Sequence, residues 1–298
     1  MKRVMRSGLA LVLTLGILCL NVCGANVNDT ELCADGAVSV TAEEMTEFLI
    51  GRNYPSDYLE TLILPQLENL YHLAVEKNAY FYSRETRSLS DARDDEFGAV
   101  ETRGNIPAED MDFSITMSYT PIYLNNATYF GEIFVTIEYF WKDLPAIRGI
   151  DAITANWDTN LLKYGGDDAF VATDYMQNPV DGEWEVWKTW TQPNALNQGG
   201  LGIDTYIDSG DYLYSGGSFL YATGLRGTVE FSLLPETMLS MKINPTSVTN
   251  INADYTHNKN PLGFDLSFAY QGVSVSVSPG VLQDSIATSD DLWYTYVD

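Results

Sequence analysis

From Asp110 to the C-terminus the large apolar residues recur at every second position, and no other feature constrains the fold as much, because a period of two belongs to strands with one buried face. Between Gly131 and Trp141, the side chains of Ile133, Val135, Ile137, Tyr139 and Trp141 share one face, and Glu132, Thr136 and Glu138 hold the other. Leu262, Phe264, Leu266, Phe268 and Tyr270 repeat the pattern. After Gln271-Gly272, Val273, Val275 and Val277 alternate with Ser274, Ser276 and Ser278, which predicts a hairpin. Gly216-Gly217 marks a second hairpin, and Asn125-Asn126 and Asp181-Gly182 are further turn signals. About a dozen short strands with hardly a helical period among them predict a mainly β fold, an antiparallel β-sandwich or jelly-roll-like domain over residues 111–298. No repeat of fixed length argues for a propeller or solenoid.

Residues 41–78 follow a different rule. Thr41 and Glu44 have the spacing of a capping box, and Met45, Phe48 and Leu49 follow on one helical face. Pro55 and Pro65 each suit a first helical position, so three short helices are expected. A module of about 38 residues cannot bury much apolar surface alone, and it should dock on the rest of the protein or on a partner. Residues 26–40 read as a polar leader. Residues 79–110, rich in charge, Ser and Arg, read as a linker or long loop.

Residues 1–25 have the form of a signal peptide. Lys2, Arg3 and Arg6 form its basic start, Gly8 to Leu20 its apolar core, and Gly24 and Ala25 its small-residue close. That core, about 13 residues, is short of the roughly 20 that span a bilayer, and no other segment approaches them, so no transmembrane span is expected in the mature chain. The expected location is secreted, extracellular or bound to the cell envelope. Leu20, Asn21, Val22 and Cys23 also resemble a degraded lipobox; lipidation of Cys23 is the alternative to cleavage after Ala25. Cys19 and Cys23 leave with the signal or serve as the anchor, so Cys33 remains as a free thiol and no internal disulfide is expected in the soluble form.

The chain carries 16 basic and 41 acidic residues, a net charge of −25, and loss of the leader would bring this to about −28. Such a surface repels phosphates and anionic membranes, which disfavours a nucleic-acid partner on Coulomb grounds, and none is expected. With two histidines, His72 and His257, a three-histidine zinc site is excluded, and neither HExxH nor CxxC occurs. The GxSxG elbow, the phosphate loop and a helix-opening GxGxxG are also missing.

Carboxylates are abundant. Glu183 and Glu185 lie two apart on a predicted strand, near the roughly 5 to 9.5 Å that glycoside hydrolysis requires of its two acids. In the same strand Trp184, Val186 and Trp190 should share one face, and Trp187 the other with Glu183 and Glu185. An exposed indole beside carboxylates suits stacking on a sugar ring, so Trp187, Glu183 and Glu185 form the candidate ligand site. No cofactor is expected. Calcium is the one cation considered, with Asp204, Asp208 and Asp211, or Asp167, Asp168 and Asp174, as oxygen donors; turn formation is the commoner use of such residues.

EFLIGRNYPSDYLETL (residues 47–62) and YFWKDLPAIRGIDAITANWD (residues 139–158) resemble segments of uncharacterised exported proteins of Gram-positive bacteria. The resemblance implies export and transfers no catalytic residue. In the second segment, Arg148 with Asp151 or Asp158 is read as an ion pair at a strand connection. Together these features describe an exported, acidic, β-rich protein of the cell surface or extracellular space, binding or structural rather than catalytic, with a cell-wall or extracellular glycan, or a surface protein, as its partner. A secreted glycoside hydrolase using Glu183 and Glu185 is the alternative. A membrane-active or pore-forming protein is third, on the Ser-Val alternation of the last hairpin.

Overall fold

The structure, a computed structural model, describes residues 40–87, 103–107, 109–145, 150–166, 169–206, 212–213, 219–220, 222–237, 241–258, 267–269, 274–276 and 283–296, all within one compact unit. The leader, Cys19, Cys23 and Cys33 lie outside them, as do Asp167, Asp168, Asp208, Asp211 and Arg148.

Three helices come first: α1 (Ala42–Ile50), α2 (Ser56–Leu59) and α3 (Leu64–Glu76). The strands follow in chain order as β1 (Tyr80–Thr86), β2 (Arg103–Asn105), β3 (Met111–Leu124), β4 (Ala127–Trp141), β5 (Ile150–Asn156), β6 (Leu162–Tyr164), β7 (Phe170–Gln177), β8 (Trp184–Trp190) and β9 (Ala195–Asn197). They continue as β10 (Gly200–Tyr206), β11 (Tyr212–Leu213), β12 (Phe219–Leu220), β13 (Leu225–Pro235), β14 (Met241–Asn258), β15 (Ser267–Ala269), β16 (Ser274–Ser276) and β17 (Gln283–Tyr296).

The mainly β, antiparallel sandwich expected from the alternation is what the chain forms. One layer runs β1-β3-β4-β13-β7-β8, with β6 beside the end of β13; the other runs β2-β17-β14-β5-β10-β9. Among the described residues one pairing, Lys242 with Tyr129, connects the layers through β14 and β4. Every pairing among the described residues is antiparallel except β2 beside β17. β11 with β12, and β15 with β16, form the two small hairpins at the positions that the Gly216-Gly217 and Gln271-Gly272 signals mark.

Two turns show why those sequences close where they do. Asn125 and Asn126 both adopt left-handed φ, 49° and 60°, which a two-residue hairpin needs to match strand twist, and they join Leu124 to Ala127. Gly182, at φ 78°, closes the β7–β8 connection.

The predicted β4 face holds: Ile133, Val135, Ile137, Tyr139 and Trp141 are all buried in the interior between the layers, with Met111, Phe113, Ile115 and Met117 of β3 alongside them. From the opposite layer come Ile251, Ala253 and Tyr255 of β14, and the Tyr255 ring meets Phe113, Tyr139 and Trp141.

The interior also holds a polar chain. Asp151 of β5 accepts hydrogen bonds from Tyr255 Oη at 2.5 Å and lies 3.0 Å from Nδ1 of His257. Asp174 of β7 accepts from Tyr139 Oη, and from Thr205 Oγ1 at 2.7 Å. Trp141 Nε1 donates to Tyr255 Oη at 3.0 Å, so tyrosines and acids of both layers satisfy one another where an unpaired group would be costly.

The helices pack on the outer face of the first layer. Thr41 and Glu44 form the expected capping box. Pro55 stands at the N-cap position, one residue before α2 and not inside it as expected, and Pro65 lies in the first turn of α3. Leu49, Tyr54, Tyr58, Leu59, Leu67 and Leu70 make a small core of their own with Phe81 of β1. Tyr54 Oη lies 2.8 Å from Ser118 Oγ, and Asn69 Nδ2 donates to Tyr175 Oη at 3.3 Å, so the module docks on its own sheet.

The stretch read as a linker, 79–110, is corrected in part: it supplies β1, paired with β3, and β2, paired with β17. Charge hid β1, because Arg84 and Glu85 interrupt the apolar signal while the strand gains its support from its pairing with β3 and from α2. Arg84 lies over the Tyr58 ring at 4.7 Å. No helix among the described residues is long and apolar enough to cross a membrane.

Candidate functional site

β17 carries two kinds of face. Ile286, Asp290, Leu292 and Tyr294 are buried, while Ala287, Ser289, Asp291 and Trp293 are exposed. β14 pairs beside it, setting Asn250 against Asp291 and Val248 against Trp293. Where this surface meets β1, Tyr82, Ser83 and Glu85 enclose a cleft of about 680 Å³ with Asn250, Ser289, Asp290, Asp291 and Trp293.

Two contacts in the cleft cross between the layers, one from Tyr82 to Trp293 and one from Ser83 to Asp290. Tyr82 packs edge-on against Tyr119 and Phe130, and its hydroxyl accepts the Trp293 backbone N–H at 2.8 Å. That bond fixes the strand from which the indole, 43 % exposed, projects. Burial raises the Tyr82 hydroxyl above its ordinary pKa.

Asp290 is 3 % exposed. Ser83 Oγ donates to its Oδ2 at 2.7 Å and the Asp291 N–H donates to its Oδ1 at 2.8 Å. Burial nevertheless pushes its pKa up to about 6, and the nearby charges of Glu85 and Asp291 act in the same direction. With both oxygens engaged by the fold, Asp290 is a positioning group. Glu85 and Asp291, both exposed, are the carboxylates open to a ligand.

The residues singled out from sequence lie elsewhere. Trp187 is 39 % exposed on β8, at the edge of the first layer. Between Lys188, opposite Asp174, and Val186, opposite Tyr175, it is an extra residue that bulges the strand. The bulge corrects the predicted faces. Lys188 and Trp190 stand opposite the inward residues Asp174 and Ala172, so Trp190 packs against the interior and does not share a face with Trp184 and Val186. Trp184 meets the Phe140 ring, and the Arg226 guanidinium lies over both.

Glu183 sits in the turn before β8, where its N–H donates to Asp181 Oδ1, and Glu185 accepts from Asn178 Nδ2 at 3.0 Å. Neither they nor Trp187 line the β1–β17 cleft.

Of the calcium readings, only Asp174 and Asp204 fall among the described residues. Asp174 belongs to the interior network, its pKa pushed up to about 7 chiefly by burial. Asp204 lies on β10, its N–H donating to Asn194 Oδ1. No group of three or more His, Cys, Asp or Glu able to hold a metal ion occurs among the described residues. His72 is exposed beside Glu76, and Asp151, read as a partner of Arg148, lies in the interior with Tyr255 and His257.

Sequence reasoning missed Tyr82, Asn250, Asp291 and Trp293, although the rule that selected Trp187 also fits Trp293. It is an indole out of phase with its strand's buried residues and next to carboxylates. No protein-family model matches this chain, and no curated protein matches it.

Proposed function

We propose that the protein is an exported, non-catalytic binding protein of the cell surface or extracellular space, whose ligand is a glycan held in the β1–β17 cleft. The observation that carries this reading is the exposed Trp293 indole beside Asp291, Glu85 and Asn250, in a cleft large enough for a sugar ring. The indole offers a stacking face, and the carboxylates and amide offer partners for ring hydroxyls. Binding is favoured over hydrolysis because the one carboxyl in the cleft whose pKa is clearly raised, Asp290, spends both oxygens on Ser83 and the Asp291 amide. A general acid must reach the leaving group. Export rests on residues 1–25.

A glycan array with the wild type and with Trp293→Ala tests the reading. Retention of at least one glycan class that falls about fivefold or more in Trp293→Ala, and persists in Trp187→Ala, is the expected result, since a stacked ring is worth ~1–2 kcal/mol. No retention by the wild type, or equal retention by Trp293→Ala, overturns it.

A further inference from the structure

The face on which the helices lie is unlike the sandwich interior. Across the strands, Thr136 of β4 stands opposite Thr116 and Glu230, and Glu138 stands opposite Ser114 and Thr228. Two carboxyls and rows of hydroxyls thus lie under the module. Over them come Leu62, Leu70 and Leu73, with Gln66 and Asn69, leaving a space of about 10 Å³ that holds one water at most. A seam this polar resembles the interfaces between parts that separate, not a fused core.

The two acids are not equally served. Burial raises the Glu138 carboxyl, and against it act Arg84 of β1, 3.7 Å from Glu138 Oε2, and the charge of Arg226 of β13; Ser114 and Thr116 of β3 approach the same oxygen. Arg226 is further spent on the module, donating to Thr61 O and Gln66 Oε1, and Asp112 faces it. The charge that bears on Glu230 is Glu138 itself, of the same sign, and burial together with that repulsion pushes Glu230 up to about 7. The remaining titratable groups in the seam are Tyr54 and Tyr58 of the module and Tyr175 of β7, all raised by burial, so they stay neutral across the physiological range. Lys77, Asn78 and Ala79 connect α3 to β1, with Asn78 in the left-handed region at φ 51°, a short joint between the module and the sheet.

We propose that the helical module is a proton-latched cap: with Glu230 protonated it stays seated on the first layer, and loss of that proton loosens it as a unit and uncovers the Ser/Thr face beneath. The inference is independent of the glycan reading. Ionising Glu230 under the cap places a negative charge beside the Glu138 carboxyl in a seam with no room for a hydration shell, and undocking admits water to both.

Hydrogen exchange on the full chain at pH 5.5 and pH 8.5, corrected for the intrinsic pH dependence of exchange, tests the latch. Protection of the α3 amides around Leu70 to Ala74 should fall at least tenfold more than that of the β14 amides around Ile251 to Tyr255 when pH is raised. Glu230→Gln should abolish this difference, and Asp174→Asn should preserve it; should Glu230→Gln fail to fold, Glu230→Thr, matching its neighbours, serves the same comparison. Equal loss of protection in α3 and β14 in the wild type, or an undiminished difference in the Glu230 variant, overturns the proposal.

Discussion

Tyr139 owes its place to the residue opposite. Gly227 pairs with it across β13 and β4, and a Cβ there would fall 2.4 Å from the tyrosine ring. The ring cannot give way cheaply, because its hydroxyl is held by Asp174 and Thr205. Gly227→Ala is therefore expected to lower stability by about 1–3 kcal/mol, the usual cost of overpacking. Urea unfolding would show this as a lower midpoint at unchanged slope, and an unchanged midpoint would contradict it. The same logic separates the acids of the cleft: Asp290 shapes it, and Asp291 and Glu85 present themselves to what enters.

At the scale of elements, the β3–β4 hairpin makes the most direct demand on sequence. Its two turn residues both sit where L side chains other than Asn, Asp and Gly are strained, so Asn125→Val should cost about 1–2 kcal/mol while Asn126→Gly should be neutral or mildly stabilising. Thermal unfolding would compare them, and equal midpoints for the two variants would refute the argument. Features set by neighbours in the chain were legible: this turn, the Thr41–Glu44 box and the inward face of β4. Features set by distant neighbours were not. β1 reads as charged loop because its support comes from β3 and α2, and the β8 faces were misread because alternation carries no mark of an inserted residue. The cleft was hidden for the same reason: Tyr82 and Trp293 are joined across 211 positions. An out-of-phase indole could be recognised from sequence, but nothing local said which such indole overlooks a cavity.

For the whole molecule, the buried acids set the response to pH. Asp174 and Glu230 are raised to about 7 and Asp290 to about 6, against about 4 in an unfolded chain. Between pH 4 and pH 7 the native state thus binds more protons than the unfolded state, so stability falls as pH rises through that window and levels off above it. The midpoint of thermal unfolding should be higher at pH 5 than at pH 8 by about 5 °C or more. The excess of acidic residues, 41 against 16 basic, acts in the same direction through self-repulsion. Salt at about 0.5 M screens that surface contribution and leaves the buried one, so the difference should survive it. A midpoint that is flat or rises between pH 5 and pH 8 at high salt would show that these carboxyls do not control stability.

The extra residue at Trp187 has a consequence beyond its own strand. β8 ends the first layer, and an outermost strand offers a row of backbone donors and acceptors on which another chain can pair. One inserted residue breaks that row's rhythm and twists the strand locally, and Lys188 follows it with a charge. A neighbouring molecule trying to continue the sheet loses register at the bulge, so a side bearing an exposed indole and Val186 is poorly suited to template the growth of fibres.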